Sequence, residues 1–203
     1  MGSQPGWGVP NTTSSLTVHW GCFLIKKVDI LLPMNKVDFD KYSLNRDQTL
    51  RNATLCYLLK GDKVLLAMKK RGFGKGRYNG VGGKVEDDET ITEATLREAE
   101  EEIKVKPIEI TKKAILDFYF PHQQDWNQQV HVFESTKWKG RPEETEEMKP
   151  KWFNIEEVPY KKMWSDDIIW FPKVLKRKLV KAIFIFSEDE SVLDHQCDVV
   201  EKL

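Results

Sequence analysis

The chain has 203 residues, and its 32 Lys and Arg residues are balanced by 32 Asp and Glu residues. The resulting net charge of zero excludes a general attraction to polymeric nucleic acid or to an anionic membrane. The length is sufficient to bury a sizeable core and predicts one domain, which we expect to be a monomer.

The cysteine spacing and the hydropathy indicate which cellular compartment the protein occupies and whether it contacts a membrane. Cys22, Cys56 and Cys197 show no paired spacing, so we expect neither a disulfide framework nor a zinc site. This favours a reducing compartment, the cytoplasm, with the nuclear and mitochondrial compartments as alternatives. No apolar run approaches the ~20 residues that span a bilayer, so no membrane contact is expected.

Residues 1–50 are predicted to be an N-terminal extension, and residues 51–203 a folded domain. Residues 1–15 are rich in Gly, Pro, Ser, Thr and Asn, which predicts disorder. Residues 16–32 are more apolar but are interrupted by charged residues. This pattern leaves three interpretations open: an added strand, a peripheral segment, or part of a cleaved leader.

The folded part begins with a predicted hairpin. Residues 53–60 and 63–69 read as strands joined by Gly61 and Asp62, a two-residue turn. Residues 71–77 contain three glycines and three basic residues, which predicts a mobile loop over a phosphate-binding mouth. Residues 78–85 are predicted to form the strand that leads into a helix.

The remaining pattern predicts an α+β fold, an α/β/α sandwich with a mixed sheet and two main helices, because strands precede, separate and follow the helices. The further predicted elements are helices at 90–104 and 166–179, the second capped by an aspartate, strands at 109–120, 129–135, 181–187 and 191–193, and a turn at 155–159.

The first predicted helix is crowded with carboxylates. Thr90 is followed three residues later by Glu93, which is the spacing of a capping box. Glu98, Glu101 and Glu102 stand at i, i+3 and i+4, which places their side chains within an arc of ~100°. Such a run is usually a solvated helix face. Three carboxylates beside an apolar stripe of the helix could also form a binding site for a divalent cation.

The longer spacing around this helix resembles the signature box of the Nudix hydrolases. That family carries a glycine, an acid and an Arg-Glu pair at fixed intervals before its last two glutamates. The matching residues here are Gly83, then five residues, Glu89, then seven residues, Arg97, Glu98, the aliphatic Ala99, any residue, Glu101 and Glu102.

The resemblance implies a Nudix-type fold and a metal-dependent hydrolase. Mg²⁺, with Mn²⁺ as an alternative, is then expected to be held by Glu98, Glu101 and Glu102, with further contacts from Gly82 and Glu147. Arg97 and the three helix glutamates are the expected catalytic residues. Glu101 or Glu98, assisted by Glu102, is the expected general base, and Glu147 is an outside candidate.

One position departs from the signature. The family has a glycine near the end of the helix, where this chain has Lys104. A residue with a side chain costs ~1 kcal/mol or more in the left-handed cap conformation. The departure concerns the end of the helix and leaves the expected metal ligands intact.

A second motif lies far downstream, where two adjacent acids follow Trp164. Its indole offers a face for stacking, and Asp166 with Asp167 offers hydrogen-bond acceptors or, when one is protonated, a donor. A purine fits such a group. The plainer interpretation is that the aspartates cap a helix and that the tryptophan belongs to the core.

From residue 51 onward the chain resembles the MutT-type oxidised-purine nucleoside triphosphatases of animals. The resemblance rests on the runs MKKRGFG, VHVF, EEMKP, MWSDD and WFP, and on Asn79-Gly80 before GGKV. Tyr78 and Ser165 replace a Trp and a Pro that are common in that family. The resemblance implies base contacts from Asn79, Trp164, Asp166 and Asp167, and a pocket lined by Thr54, Lys69, Phe73 and Phe118.

The function implied by this resemblance is hydrolysis of 8-oxo-dGTP or 2-hydroxy-dATP to the monophosphate and pyrophosphate. The partner is then a small-molecule nucleotide. One alternative is a Nudix hydrolase of another nucleoside diphosphate derivative, such as a methylated purine nucleotide, a dinucleoside polyphosphate or a nucleotide sugar. The other is a non-catalytic nucleotide-binding module.

Overall fold

The computed structural model describes residues 36–203. The predicted disorder of residues 1–15 and the three interpretations of residues 16–32 lie outside the described residues. The described elements are β1 (Arg51–Lys60), β2 (Lys63–Lys69), β3 (Tyr78–Asn79), α1 (Ile91–Ile103), β4 (Val105–Tyr119), β5 (Gln128–Gly140), β6 (Met148–Asn154), α2 (Asp167–Leu175), β7 (Leu179–Phe186) and β8 (Val192–Val200).

The strands form one mixed sheet of eight strands. Its order is β3-β2-β1-β5-β4-β7-β8, and β6 also pairs with β2. β1 runs parallel to β5 and β4 runs parallel to β7, whereas the other pairs are antiparallel. With a helix on each face of this sheet, the predicted α+β sandwich is confirmed.

The alternation of side chains along β1 explains why both faces carry a helix. Tyr57 and Leu59 belong to the apolar cluster that includes α2, while Cys56 and Leu58 belong to the cluster that includes α1. Successive side chains of a strand point to opposite faces of the sheet. A continuous apolar run therefore marks a strand that is covered on both sides.

The first helix begins and ends as its local sequence dictates. Thr90 is the N-cap, and its side chain accepts a hydrogen bond from the backbone of Glu93, whose carboxylate accepts one from the Thr90 backbone in return. The predicted capping box is confirmed. Lys104 takes the left-handed conformation, with φ 59° and ψ 32°, and its N–H donates to Ala99 and Glu100.

Two predicted elements are shorter than expected. Of the strand predicted over 78–85, only Tyr78–Asn79 forms a regular strand, β3. The following residues pair with β1 through two isolated bridges, Val81 with Cys56 and Lys84 with Ala53. The helix predicted over 166–179 ends at Leu175, because Arg177 has φ 63° and turns the chain into β7.

Other strands are longer than predicted or were missed. β4 and β5 both extend beyond their predicted bounds, and β8 runs to Val200 instead of Leu193. β6 was not predicted, because Lys149, Pro150 and Lys151 look like a loop. In the described chain β6 pairs only with β2, and an edge position is where a sheet tolerates proline.

Residues just upstream of β1 also pack on the sheet. Val37, Phe39 and Leu44 are buried in a small cluster with Tyr119 and Ile185. The compact unit therefore includes residues that precede the predicted boundary at residue 51. Within the described residues, no helix is both long enough and apolar enough to cross a membrane.

Candidate active site

A cavity of about 530 Å³ opens beside β1 and collects most of the predicted substrate-binding residues. Its wall comes from the first three strands, the loop after β2, and the ends of β4 and β5. The predicted site residues that line it are Thr54, Lys69, Phe73, Asn79, Gly82, Phe118 and Glu147.

A second cavity, of about 440 Å³, lies against the acidic edge of α1. Glu98, Glu101 and Glu102 line it together with Glu147 and Arg71. Since Glu147 and Arg71 also line the first cavity, the two cavities adjoin at this pair. The structure thus brings the four predicted carboxylates together although Glu147 is distant in the sequence.

Arg97 is the centre of the hydrogen bonding in the signature box. Its guanidinium donates twice to Glu89, at 2.7 and 3.0 Å, and also to Glu98 at 2.9 Å and Glu101 at 3.2 Å. A paired fork of this kind is among the stronger charge-assisted contacts. The bond from Arg97 holds the pKa of Glu89 below its usual range, so Glu89 stays ionised.

Glu102 is the most enclosed of the four carboxylates, with a side chain only 3% exposed. It accepts a hydrogen bond from the Gly82 backbone at 2.9 Å and lies 3.7 Å from the Lys69 ammonium. Burial raises the pKa of Glu102 to about 7, and these two partners counteract the effect only in part. Burial likewise raises the pKa of Glu98.

The two glycines that open the box allow backbone and carboxylate to approach closely. A Cβ on Gly83 would overlap the Glu98 carboxylate, and a Cβ on Gly82 would overlap the Thr54 carbonyl. Gly82 therefore requires the absence of a side chain, because the overlapping atom is backbone and its φ is 154°. At Gly83 a side chain would displace the Glu98 carboxylate.

Glu147 lies outside the box but faces the same cavity. Its carboxylate accepts hydrogen bonds from Arg71, and this contact lowers the pKa of Glu147. Its backbone carbonyl accepts from the Lys70 N–H at 2.7 Å, which ties β6 to the start of the loop. The loop over residues 71–77 is thereby anchored at the carboxylate cluster.

The carboxylate cluster has the donor chemistry that a hard divalent cation prefers, namely several ionisable oxygens at one place. In the described part of the chain, no three acidic, His or Cys side chains converge on a common point. The reason is that each carboxylate accepts a hydrogen bond from a protein group: Glu98 and Glu101 from Arg97, Glu102 from the Gly82 N–H, and Glu147 from Arg71. The four carboxylates fit a divalent cation if the cation replaces these hydrogen-bond donors.

Two further polar groups of the first cavity suit a base. The Asn79 side-chain oxygen accepts from the Tyr57 hydroxyl at 2.9 Å and from the Gly80 N–H at 2.8 Å. The Thr54 hydroxyl is buried and has no hydrogen-bond partner among the described residues. A buried polar group left without a partner costs free energy unless a ligand or water satisfies it.

Trp164 does not line this cavity but contacts a residue that does. Its ring lies 4.8 Å from the ring of Phe73, with 37° between the planes. The Arg77 guanidinium lies 4.1 Å from the Trp164 ring centre, within the range of a cation–π interaction. The loop therefore packs against Trp164 through two residues, one of which faces the cavity.

Asp166 and Asp167 are both buried, each only 2% exposed, at the start of α2. Asp166 accepts from the Trp170 indole N–H at 2.9 Å, and Asp167 accepts from the Trp164 backbone at 2.9 Å. The predicted aspartate cap is wrong in one respect, because Asp166 occupies the N-cap position but its carboxylate makes no capping bond.

Burial also changes the protonation of this pair. It raises the pKa of Asp166 to about 6 and the pKa of Asp167 well above its usual value, with the Asp166 charge acting in the same direction on Asp167. Like charges so close together cannot both ionise easily. Burial and this repulsion together favour retention of a proton by the pair.

Three residues near the cavities were not singled out in the sequence. Tyr57 lies in an apolar strand, and nothing in that pattern separates it from the core. Arg71 and Arg77 belong to the basic loop, whose composition does signal anion binding. Their individual partners, Glu147 for Arg71 and Trp164 for Arg77, are set only by the fold.

Comparison with known proteins agrees with this arrangement. A family model described as NUDIX domain matches residues 49–174. The oxidized purine nucleoside triphosphate hydrolase of Danio rerio is 39% identical over 155 residues, covering 76% of this chain and 99% of the relative. The protein of the same name from Mus musculus is 38% identical over 156 residues, covering 75% and 97%.

A solved structure extends the similarity to three dimensions. The mMutator MutT protein from Bacillus halodurans aligns with a TM-score of 0.66 at 27% sequence identity. The alignment covers 73% of this chain and 98% of that one. Most of the fold described above is thus shared with an experimental structure.

Proposed function

Because the chain belongs to the Nudix family, we propose that it hydrolyses oxidised purine nucleoside triphosphates, such as 8-oxo-dGTP or 2-hydroxy-dATP, to the monophosphate and pyrophosphate. Removing such nucleotides keeps oxidised bases out of the pool used for DNA synthesis. The substrate is a small molecule, and the proposal needs no polymeric nucleic acid.

One observation carries the proposal: a cavity of about 530 Å³ that Asn79 lines adjoins a second cavity that is lined by four carboxylates. The 39% identity to the Danio rerio hydrolase, over 99% of that protein, supports the same activity. A nucleotide lying along both cavities places its base beside Asn79 and its phosphates beside α1.

At the phosphate end, Glu98, Glu101, Glu102 and Glu147 are proposed to hold Mg²⁺, with Mn²⁺ as a substitute and Gly82 adding its backbone. When bound, the ion supplies positive charge that neutralises the phosphates. Lys69 lies in the same wall and provides a further positive charge for them. Arg97 would then release Glu98 and Glu101 to the ion while it stays paired with Glu89.

The hydrolytic step requires one group to accept a proton from water. We assign this role to Glu101, whose side chain is 63% exposed and has a single protein contact, at 3.2 Å to Arg97. The water oxygen bonds to the β-phosphorus while the bridging bond to the α-phosphate oxygen breaks. The water proton passes to Glu101, and the monophosphate and pyrophosphate leave.

At the base end, the proposed contacts are hydrogen bonds from Asn79 and Thr54, and apolar contacts from Phe73 and Phe118. Trp164 offers its ring as a stacking surface for the base. In the structure the Phe73 ring packs against the ring of Trp164. Asp166 and Asp167 are proposed to hydrogen-bond to an oxidised base, and burial, which raises the pKa of both, favours a pair that holds a proton to donate.

The test is a set of initial rates in Mg²⁺ with 8-oxo-dGTP, 2-hydroxy-dATP and the four normal deoxynucleoside triphosphates, with products identified by chromatography. We expect preferred hydrolysis of an oxidised purine, with pyrophosphate as a product. Faster hydrolysis of a methylated purine nucleotide, a dinucleoside polyphosphate or a nucleotide sugar in parallel assays contradicts the proposal.

A further inference from the structure

Tyr57 places a hydroxyl group deep in the interior, at the base end of the cavity. The residue is only 1% exposed, and its ring packs 4.4 Å from the ring of Phe171 and 6.2 Å from that of Trp170. This packing fixes the ring and so fixes the position of the hydroxyl. A buried tyrosine usually finds a partner for its O–H, and here the partner is Asn79.

The side-chain oxygen of Asn79 receives two hydrogen bonds at once. The Tyr57 hydroxyl lies 2.9 Å from it, and the Gly80 backbone nitrogen lies 2.8 Å from it. A backbone N–H can only donate, so the side-chain atom facing Gly80 must be the amide oxygen and not the nitrogen. This settles which way round the Asn79 amide sits.

Both acceptor sites of the Asn79 oxygen are thereby used. The amide nitrogen, with its two N–H groups, has no partner among the described residues, and Asn79 lines the cavity. What this residue offers a ligand is therefore donors alone. Without the Tyr57 bond, only one contact would oppose rotation of the amide.

We propose that Tyr57 is a positioning residue that locks Asn79 as a hydrogen-bond donor, so that the base edge opposite must present acceptors such as a carbonyl oxygen. The inference deepens the proposed function and rests on it. It predicts that the substrate base carries a keto group or an unprotonated ring nitrogen at this edge.

Two neighbouring features show that the lock is built into the local structure. A Cβ on Gly80 would lie 2.9 Å from the Tyr57 ring, so a glycine is needed for the ring to occupy its place. Burial raises the pKa of Tyr57 well above its usual value, which keeps its O–H protonated as a donor. Tyr57, Asn79 and Gly80 therefore act as one unit.

A double-mutant cycle separates positioning from mere packing. Tyr57→Phe keeps the ring and removes the hydroxyl, and Asn79→Ala removes the amide that the hydroxyl orients. We expect Tyr57→Phe to raise KM for 8-oxo-dGTP about five- to tenfold with little change in kcat, the effect of losing one neutral hydrogen bond. In the Asn79→Ala background, the same substitution should change KM less than twofold.

Tyr119→Phe is the matched control, since Tyr119 is also a buried tyrosine on the sheet but packs against Phe39, away from the cavity. It should leave KM unchanged. The proposal is contradicted if Tyr57→Phe changes KM equally in the wild-type and Asn79→Ala backgrounds, or if it changes KM in neither. Wild-type protein that fails to hydrolyse 8-oxo-dGTP instead overturns the proposed function, before any variant is compared.

Discussion

The proposed phosphate end and the proposed base end of the site hold their carboxylates in different ways. At the proposed phosphate end, Arg97 and Arg71 contact Glu89 and Glu147 and lower their pKa values. For the proposed base contacts Asp166 and Asp167, burial raises the pKa values. Arginine contacts therefore favour ionised carboxylates in the first group, and burial favours protonated ones in the second.

Glu98 and Glu102 are exceptions at the proposed phosphate end. Burial raises their pKa values, that of Glu102 to about 7, although Arg97, Lys69 and the Gly82 N–H favour ionisation. The difference between the ends shows how one fold can separate two tasks. A cluster of charge suits binding of a cation and cleavage of phosphate, while a fixed proton suits discrimination between bases that differ in where their hydrogens lie.

The largest expected effect comes from removing the proposed proton acceptor. Glu101→Gln should lower kcat for every substrate at least about a hundredfold, which is typical for loss of a general base. The fold should be unaffected, because Glu101 is exposed. Glu100→Gln, one residue earlier and also exposed, is the control and should retain activity. Steady-state kinetics that show equal rates for the two variants contradict the assignment.

A smaller effect, confined to selectivity, is expected at the other end. Asp166→Asn replaces one carboxylate of the pair with an amide that both accepts and donates. The ratio of kcat/KM for 8-oxo-dGTP over dGTP should fall about tenfold or more, because buried polar groups left mismatched discriminate strongly. Asp167→Asn changes the other carboxylate in the same way and should lower the ratio as well. Asp62→Asn, in an exposed turn, should leave the ratio unchanged.

The same aspartate should make stability depend on pH. Since the pKa of Asp166 is about 6 in the folded chain and near 3.8 otherwise, the folded state binds the proton more tightly. Its stabilising contribution, on the order of 3 kcal/mol, is complete below pH ~4 and is lost as pH rises through ~6. Thermal denaturation across this range should show a shallower pH dependence for Asp166→Asn than for wild type.

The smallest effect concerns the end of α1. Lys104 adopts φ 59°, a conformation that glycine enters without penalty. Lys104→Gly should raise the free energy of unfolding by ~1 kcal/mol or slightly less, with kinetics unchanged. Lys104→Ala keeps the Cβ and should give no such gain. Equal melting temperatures for the two variants would show that the cap is not strained.

Elements with local signals could be predicted from the sequence. The capping box at Thr90, the turn at Gly61 and the helical spacing of the glutamates each lie within a few residues, and each is confirmed. The paired contact of Arg97 with Glu89 was also predictable, because it joins residues at either end of one short motif.

Features that depend on distant contacts could not be predicted from the pattern. β6 is a strand because β2 lies beside it, although Pro150 suggests a loop. Tyr57 reads as an ordinary core residue until the fold brings it to Asn79, 22 positions away. The raised pKa of Asp166 likewise follows from its complete burial, which spacing alone does not reveal.

The central claim is that the carboxylate cluster catalyses hydrolysis of the phosphate chain and that the base-binding residues determine which base is accepted. It is tested most directly by the ratio of kcat/KM for 8-oxo-dGTP over dGTP in three proteins: wild type, Glu101→Gln and Asp166→Asn. We predict that Glu101→Gln lowers both rates and leaves the ratio unchanged, whereas Asp166→Asn lowers the ratio. A ratio that changes in Glu101→Gln and stays constant in Asp166→Asn would contradict this division of roles.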